Sequence, residues 1–173
     1  MRQGRALGSA EAIALSADNL IAMTKDSGQS WHLSPAVQSP VNALGGRAGG
    51  PYVAVGKGGS VSLSVDGERW QALPRYTGDD LTEVAVVGQR ALALGAKGTL
   101  LVIDLSRSLP SLSRFPDGFQ PQALGRHAQR FIAYGKDATL ESEDGVHWSP
   151  SSDKGLSVRA QRYATSQGHC GLG

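Results

Sequence analysis

The chain has 173 residues, with 40% hydrophobic and 18% charged side chains, which is typical of one folded domain. Its 17 basic and 15 acidic residues leave a net charge of +2, too small for the basic surface that nucleic-acid binding requires. The single cysteine, Cys170, excludes an internal disulfide and a cysteine-rich zinc site.

The N-terminal residues do not read as a signal peptide. The first residues include Arg2 and Arg5 but no apolar run of signal-peptide length. No stretch approaches the ~20 apolar residues of a membrane span. The sequence as written therefore predicts a cytoplasmic protein, and export would require a leader upstream.

One short apolar strand recurs four times at a nearly constant interval. Its copies are residues 12–16 (AIALS), 53–56 (VAVG), 92–95 (LALG) and 131–135 (FIAYG). The closing positions 16, 56, 95 and 135 are 40, 39 and 40 residues apart. Each copy is preceded by one short strand and followed by two more, with glycine-containing turns between them. Four short strands per ~40 residues are typical of a β-propeller blade.

This repeat predicts an all-β fold, a β-propeller of about four four-stranded blades plus one extra strand. The expected blades span residues 4–37, 38–76, 80–118 and 120–152; residues 155–160 begin a fifth, and residues 161–173 form an irregular tail. The first strands are expected at 5–8, 41–45, 83–88 and 122–125. No helix is predicted, because glycine or proline interrupts every apolar pattern of helical period.

The turn between the third and fourth strands carries aspartate, glycine and tryptophan in three of the four units. The three turns are 24–31 (TKDSGQSW), 64–70 (SVDGERW) and 142–148 (SEDGVHW). The aspartate can accept hydrogen bonds from its own turn, and the hydroxyl two residues earlier can add another. Glycine can take a positive φ, and the tryptophan ring can cover the hairpin while its indole N–H finds an acceptor.

The predicted role of these turns is structural, with no catalytic, cofactor-binding or metal-binding residue assigned anywhere in the chain. The third unit, 104–109 (DLSRSL), is interpreted as a degenerate copy, with Asp104 but no glycine and with Leu109 in place of tryptophan. The twelve residues assigned to the structural turns are Thr24, Asp26, Gly28, Trp31, Ser64, Asp66, Gly67, Trp70, Ser142, Asp144, Gly145 and Trp148.

These turns resemble the Asp-box, S/T-x-D-x-G-x-T/S-W. The first copy fits it closely, and the other two are one residue shorter between aspartate and tryptophan. Over about residues 5–149 the chain resembles the Asp-box (BNR-repeat) propeller superfamily, which includes sialidases, sortilin-type receptors and photosystem II assembly factors. The resemblance implies that the boxes lie on the outer rim, away from the central channel where ligands bind.

A sialidase would need an arginine triad, a tyrosine with a glutamate partner, an acidic acid/base residue and an F/Y-R-I-P motif before its first box. The nearest string, residues 113–116 (SRFP), follows the second box in another order and is interpreted as an inter-blade loop. The histidines at 32, 127, 147 and 169 lack metal-ligand spacing. Asp79, Asp80 and Glu83 are interpreted as a solvated acidic loop.

The predicted function is a non-catalytic binding or assembly scaffold that uses loops around the channel to hold a protein or glycan partner, without a cofactor. The alternatives are a fragment of a sialidase-like glycoside hydrolase and a lectin-like carbohydrate-binding module. Four blades allow a small closed ring, a homodimer that completes an open ring, or part of a larger propeller. The unfinished unit at 156–160 favours the last.

Overall fold

The computed structural model describes residues 3–6, 10–16, 18–35 and 40–151, and sixteen strands occupy most of them. The first two sheets contain β1 (Gln3–Ala6), β2 (Ala12–Leu15), β3 (Leu20–Thr24) and β4 (His32–Pro35), then β5 (Val41–Gly46), β6 (Tyr52–Gly56), β7 (Val61–Ser64) and β8 (Gln71–Ala72). The other two contain β9 (Leu81–Val87), β10 (Arg90–Gly95), β11 (Leu100–Asp104) and β12 (Leu109–Ser113), then β13 (Pro121–His127), β14 (Arg130–Gly135), β15 (Thr139–Ser142) and β16 (Ser149–Pro150). A single turn of 3₁₀ helix, Lys57–Gly59, joins β6 to β7.

The sixteen strands form four separate four-stranded antiparallel sheets, each made of four strands consecutive in the chain. The first strands of successive sheets pack on one another in the order β1, β5, β9, β13, so they lie innermost and the fourth strands lie outermost. Among the described residues no comparable packing joins β13 to β1. The prediction of an all-β propeller built from four four-stranded units is confirmed.

Glycine closes the second strand in three of the sheets, where the chain comes very close to itself. In each case the residue that follows the glycine donates its backbone N–H to a carbonyl. That carbonyl belongs to the residue just before the innermost strand of the same sheet. These bonds are Lys57 N to Pro40 O at 3.0 Å, Ala96 N to Asp80 O at 2.8 Å and Lys136 N to Gln120 O at 3.3 Å. A Cβ on Gly56 would fall on the Pro40 carbonyl oxygen. In these three sheets the repeat therefore marks where the chain entering the sheet is tied to the first hairpin.

The core consists of the interfaces between successive sheets. Each sheet has a forward face, which packs toward the next sheet; in the second strand of the second sheet Val53 and Val55 lie on it. The opposite, rear face carries at least one alanine, and Val53 and Val55 pack against Ala91 and Ala93 of the third sheet. In the other two interfaces the receiving faces carry a large aromatic residue, Tyr52 in one and Phe131 in the other. Their forward residues are Ile13, Leu15, Ile21 and Met23, then Leu92, Leu100 and Val102.

Some expectations differ from the structure or lie outside it. β1 begins two residues earlier than the predicted strand at 5–8, and β8 and β16 are only two residues long. The expected fifth strand at 155–160, the tail at 161–173 and Cys170 lie outside the described residues, and the blade boundaries stay a prediction. In the described part of the chain no helix is long and apolar enough to cross a membrane.

We predict that Gly56→Ala destabilises the fold, because the added methyl would displace the Pro40 carbonyl. The expected loss is about 1–3 kcal/mol in free energy of unfolding, measured by urea denaturation. Gly78→Ala is the control, because its Cβ would meet nothing within 4 Å. Equal stabilities for the two variants would contradict the close-approach explanation.

Candidate functional site

The aspartate turns of the second and fourth sheets have the same hydrogen-bond geometry. Asp66 Oδ1 accepts the backbone N–H groups of Glu68 and Arg69, both at 2.8 Å. The Ser64 hydroxyl donates to Asp66 at 3.1 Å and accepts the Gly67 N–H at 2.7 Å. Asp144 and Ser142 make the equivalent bonds in the fourth sheet. The hydroxyl and the carboxylate together satisfy three N–H groups that strand pairing leaves free.

The first turn makes the same kinds of hydrogen bond, although it has one more residue between aspartate and tryptophan. Thr24 Oγ1 donates to Asp26 Oδ1 at 2.8 Å and accepts the Gly28 N–H at 2.9 Å. Asp26 Oδ1 accepts the Ser30 N–H at 2.9 Å, four residues on. Trp31 remains 44% exposed, unlike the tryptophans of the shorter turns, which are partly buried.

These hydrogen bonds lower the pKa of each turn carboxyl. The Ser30 hydroxyl and N–H lower the pKa of Asp26 to about 2, and the Arg69 and Glu68 N–H groups lower that of Asp66 to about 2. Burial alone would raise the pKa of Asp144, but bonds from His147 and Val146 outweigh it and hold that pKa well below its usual range. These aspartates are thus ionised acceptors and poor candidates for proton donors.

The glycine and tryptophan of a turn also contact the preceding sheet. Gly67 has φ +80°, and a Cβ there would lie 3.1 Å from Met23 on the forward face of the first sheet. Trp70 packs on the same cluster, which includes Met23. In the fourth sheet a Cβ on Gly145 would fall on Leu92. The turns therefore join neighbouring sheets as well as adjacent strands.

The indole N–H groups do not behave as expected. Trp70 Nε1 and Trp148 Nε1 are buried and have no acceptor among the described residues. Both rings pack against apolar clusters between sheets. The expectation that each indole finds an acceptor is wrong for these two residues. Apolar contact area explains why tryptophan is used there.

The third sheet retains more of the turn than its sequence indicated. Asp104 Oδ1 accepts the N–H groups of Ser106 and Arg107 at 3.0 and 3.3 Å, and the Ser106 hydroxyl, which lowers the pKa of Asp104. The strand register shows that the turn hydroxyl has been replaced. In the second sheet Ser64 pairs with Tyr52, and at the equivalent place in the third sheet Ile103 pairs with Ala91. The aspartate comes one residue earlier in this turn. Pro110, paired with Ile103, stands at the tryptophan position instead of Leu109.

The acidic loop between the second and third sheets is not simply solvated. Asp79 is buried, and its carboxylate accepts the Lys97 N–H at 2.9 and 3.2 Å. Asp80 accepts the Gly58 N–H at 2.8 Å. Glu83 Oε2 accepts the Leu124 N–H of the innermost strand β13 at 3.0 Å. Each of the three carboxylates accepts a backbone N–H group. Through these hydrogen bonds the three acidic residues connect the second, third and fourth sheets.

Four arginines engage separate partners in the described part of the chain. Arg47 donates to the Gly50 carbonyl in its own turn, and Arg90 donates to the Asp144 carbonyl of the next sheet. Arg126 donates to the Val86 carbonyl. Arg130 pairs with Glu141 at 2.6 Å and Glu143 at 3.5 Å beside a cavity of 260 Å³. No group of three metal-ligating side chains occurs among the described residues.

A larger cavity, of 860 Å³, lies between two loops at the end of the third sheet. One wall is the β10–β11 turn, residues 96–99, and the other is residues 114–120, which lead into the fourth sheet. Lys97, Arg114 and the exposed side chain of Leu112 line it. The nearest sequence signal was the string at 113–116, interpreted only as an inter-blade loop. We call this cavity the third-sheet groove.

Both walls of the third-sheet groove are held in place. The Asp79 carboxylate and the Asp80 carbonyl bind the backbone of residues 96–97. In the other wall the Phe115 ring lies 5.0 Å from those of Phe119 and Trp148, and Phe119 packs directly on Gly135. The groove is therefore pre-formed, a property that reduces the ordering cost of binding.

Comparison with known proteins supports the fold. No protein-family profile and no curated protein sequence matches the chain. Among solved structures, YCF48 bound to D1 peptide aligns with a TM-score of 0.61 at 24% identity, covering 87% of this chain and 53% of that one. YCF48 from Cyanidioschyzon merolae aligns at 0.58 and 15% identity, covering 85% and 55%. A structural-genomics protein of unknown function from Bacteroides thetaiotaomicron aligns at 0.59 and 8%, covering 85% and 42%.

The chain thus spans about half the length of the solved structures that it matches. All three alignments have under 25% identity, so they support shared fold and no shared activity. Taken with the four sheets and their innermost strands, they show that this chain has a β-propeller fold.

We predict that the Asp66 turn contributes a measurable part of the acid sensitivity of the fold. The folded-state pKa of about 2 lies below the ordinary 3.8, so the ionised carboxylate stabilises the fold above pH 3.8, and this contribution is lost as the pH falls toward 2. Asp66→Asn should flatten the decline of the urea midpoint over this interval. Asp137→Asn, at an exposed carboxylate, is the control. A variant with the wild-type pH profile would contradict the prediction.

Proposed function

We propose that this chain is a non-catalytic binding scaffold that holds a peptide or protein partner. One observation carries the proposal: each carboxylate with a shifted pKa, among the described residues, has that pKa lowered by hydrogen bonds within a turn. Catalytic acids and bases instead need a pKa matched to proton transfer and a position in a cleft. Asp26, Asp66, Asp104 and Asp144 do not meet the first condition, because each has a lowered pKa, and of the four only Asp144 lines one of the two cavities described above.

The comparisons add a second line of support. YCF48, a propeller with a similar arrangement of sheets, has been solved bound to D1 peptide. At 24% identity this likeness does not identify the partner of the present chain. It supports only the use of such a scaffold to bind a peptide.

We also propose that the three complete turns are Asp-box turns whose task is to hold the sheets together. Their hydroxyl–carboxylate–glycine hydrogen bonds and the contacts of Gly67 and Trp70 with the first sheet support this role. On this proposal the turns are not ligand sites. The partner instead binds at loops on other parts of the sheets.

The structural role of the turn predicts that Trp70→Ala destabilises the fold by about 3 kcal/mol, because a packed ring is removed. Trp70→Phe should cost less, since it keeps an aromatic ring and removes an indole N–H that has no acceptor in the described structure. Trp31→Ala is the control, because that ring is 44% exposed. A thermal melt in which Trp70→Ala leaves the midpoint unmoved would refute this role.

The scaffold function predicts saturable peptide binding without turnover. The labelled full chain would be applied to an array of synthetic twelve-residue peptides and to a glycan array. Hydrolysis of fluorogenic glycosides, including a sialoside, would be followed from pH 4 to 8. We expect binding to a subset of peptides that the same soluble peptide competes away. Glycoside turnover would favour the hydrolase alternative, and binding to glycans alone would favour the lectin alternative.

A further inference from the structure

The third-sheet groove combines features that are suited to one kind of ligand. Its volume of 860 Å³ falls within the range of about 300–1,000 Å³ that is usual for ligand pockets. Its walls are pinned by Asp79 on one side and by the Phe115 and Phe119 rings on the other. The site is thus large enough and sufficiently fixed to accept part of a peptide.

The charges in the groove favour an anionic group. Lys97 and Arg114 are exposed on opposite walls, and neither side chain makes an ion pair or hydrogen bond with the described residues. Asp117 is the one acidic side chain among the lining residues. Among the lining residues two unengaged cations face one carboxylate, while the Asp79 carboxylate behind the Lys97 turn is bound by the Lys97 backbone N–H. An arginine and a lysine are the usual partners of a carboxylate, and the arginine can bind it through two parallel bonds.

Beside these cations lies an apolar surface on an open sheet edge. Leu112 is 58% exposed on β12, and β12 is the outermost strand of its sheet. With five residues, β12 is longer than the outermost strands β8 and β16, which have two each. An open strand edge next to an apolar side chain is the arrangement used when an extended peptide adds to a sheet.

We propose that the third-sheet groove binds an extended peptide that carries a carboxylate next to an apolar side chain. The carboxylate lies between Lys97 and Arg114, and the apolar side chain packs on Leu112. The peptide backbone runs along the outer edge of β12. This inference rests on the proposed scaffold function and assigns it a location and a ligand chemistry.

The ligand chemistry can be tested with a factorial set of fluorescein-labelled eight-residue peptides and the full chain. The peptides carry leucine or serine beside glutamate or glutamine, and each is made with a free or an amidated C-terminus. Fluorescence anisotropy should show the leucine–glutamate peptide binding about fivefold or more tighter than either single replacement, with the carboxylate effect shrinking at high salt. The free and amidated forms distinguish a side-chain carboxylate from a C-terminal one. Equal affinities across the set, or no binding, would overturn the proposal.

The location can be tested with matched variants. Lys97→Ala and Leu112→Ser should each weaken the best peptide about threefold to tenfold, because each removes one exposed contact. Lys57→Ala, on the equivalent turn of the second sheet, and Leu33→Ser are the controls. Leu33 is 56% exposed and pairs with Ala22 on β3 as Leu112 pairs with Leu101 on β11. Both controls should bind as the wild type does.

The two proposals fail in different ways. If peptides bind and the Lys97 and Leu112 variants bind them unchanged while remaining folded by circular dichroism, the groove is not the site, and the scaffold function stands. If the twelve-residue array binds nothing while glycans bind or glycosides are hydrolysed, the scaffold function itself fails. Loss of binding in Leu33→Ser equal to that in Leu112→Ser would also overturn the groove.

Discussion

The fold depends on apolar packing between the facing surfaces of successive sheets. Val53 and Val55 of the second sheet pack against Ala91 and Ala93 of the third, whereas Tyr52 and Phe131 are the large buried side chains on the receiving faces of the other two interfaces. Large and small side chains that face each other across an interface allow neighbouring sheets to pack closely. The strands are too short to bury much surface within one sheet. Stability therefore comes from stacking the sheets, as in other repeat folds.

The aspartate turns serve this stacking as well as the hairpins in which they lie. Gly67 needs both its positive φ and its missing Cβ, because Met23 of the preceding sheet occupies the adjacent space. In the fourth sheet the carbonyls of Asp144 and Gly145 accept bonds from Arg90 and Ser113 of the third. A turn that looks local in the sequence is thus part of an interface. This explains why buried indole N–H groups without an acceptor are tolerated: the ring contributes contact area that no smaller side chain would supply.

The sequence was sufficient to predict the sheets because the repeat is tied to a steric requirement. Gly56, Gly95 and Gly135 lie where the second strand touches the chain entering the blade, so their spacing follows the blade itself. The sequence contains no comparable repeat from which the contacts between sheets could be predicted. Asp79 and Glu83 looked like solvated carboxylates because their acceptor roles involve Lys97 and Leu124, which lie 18 and 41 residues away. The third-sheet groove was missed for the same reason: its two walls come from separate loops that become neighbours only through packing.

The third sheet is where the repeat departs most from its pattern, and the groove lies on that sheet. The third sheet has Ile103 in place of the turn hydroxyl and Pro110 in place of tryptophan, and its outermost strand has five residues, among them the exposed Leu112. The same sheet still supplies a complete interface to the fourth, through Leu92, Leu100 and Val102. Its forward face therefore remains committed to stacking, while β12 is the outermost strand of the sheet and, among the described strands, pairs only with β11. A repeat fold can change one edge in this way without altering the interfaces on which its stability depends, and such an edge is a reasonable place to find function.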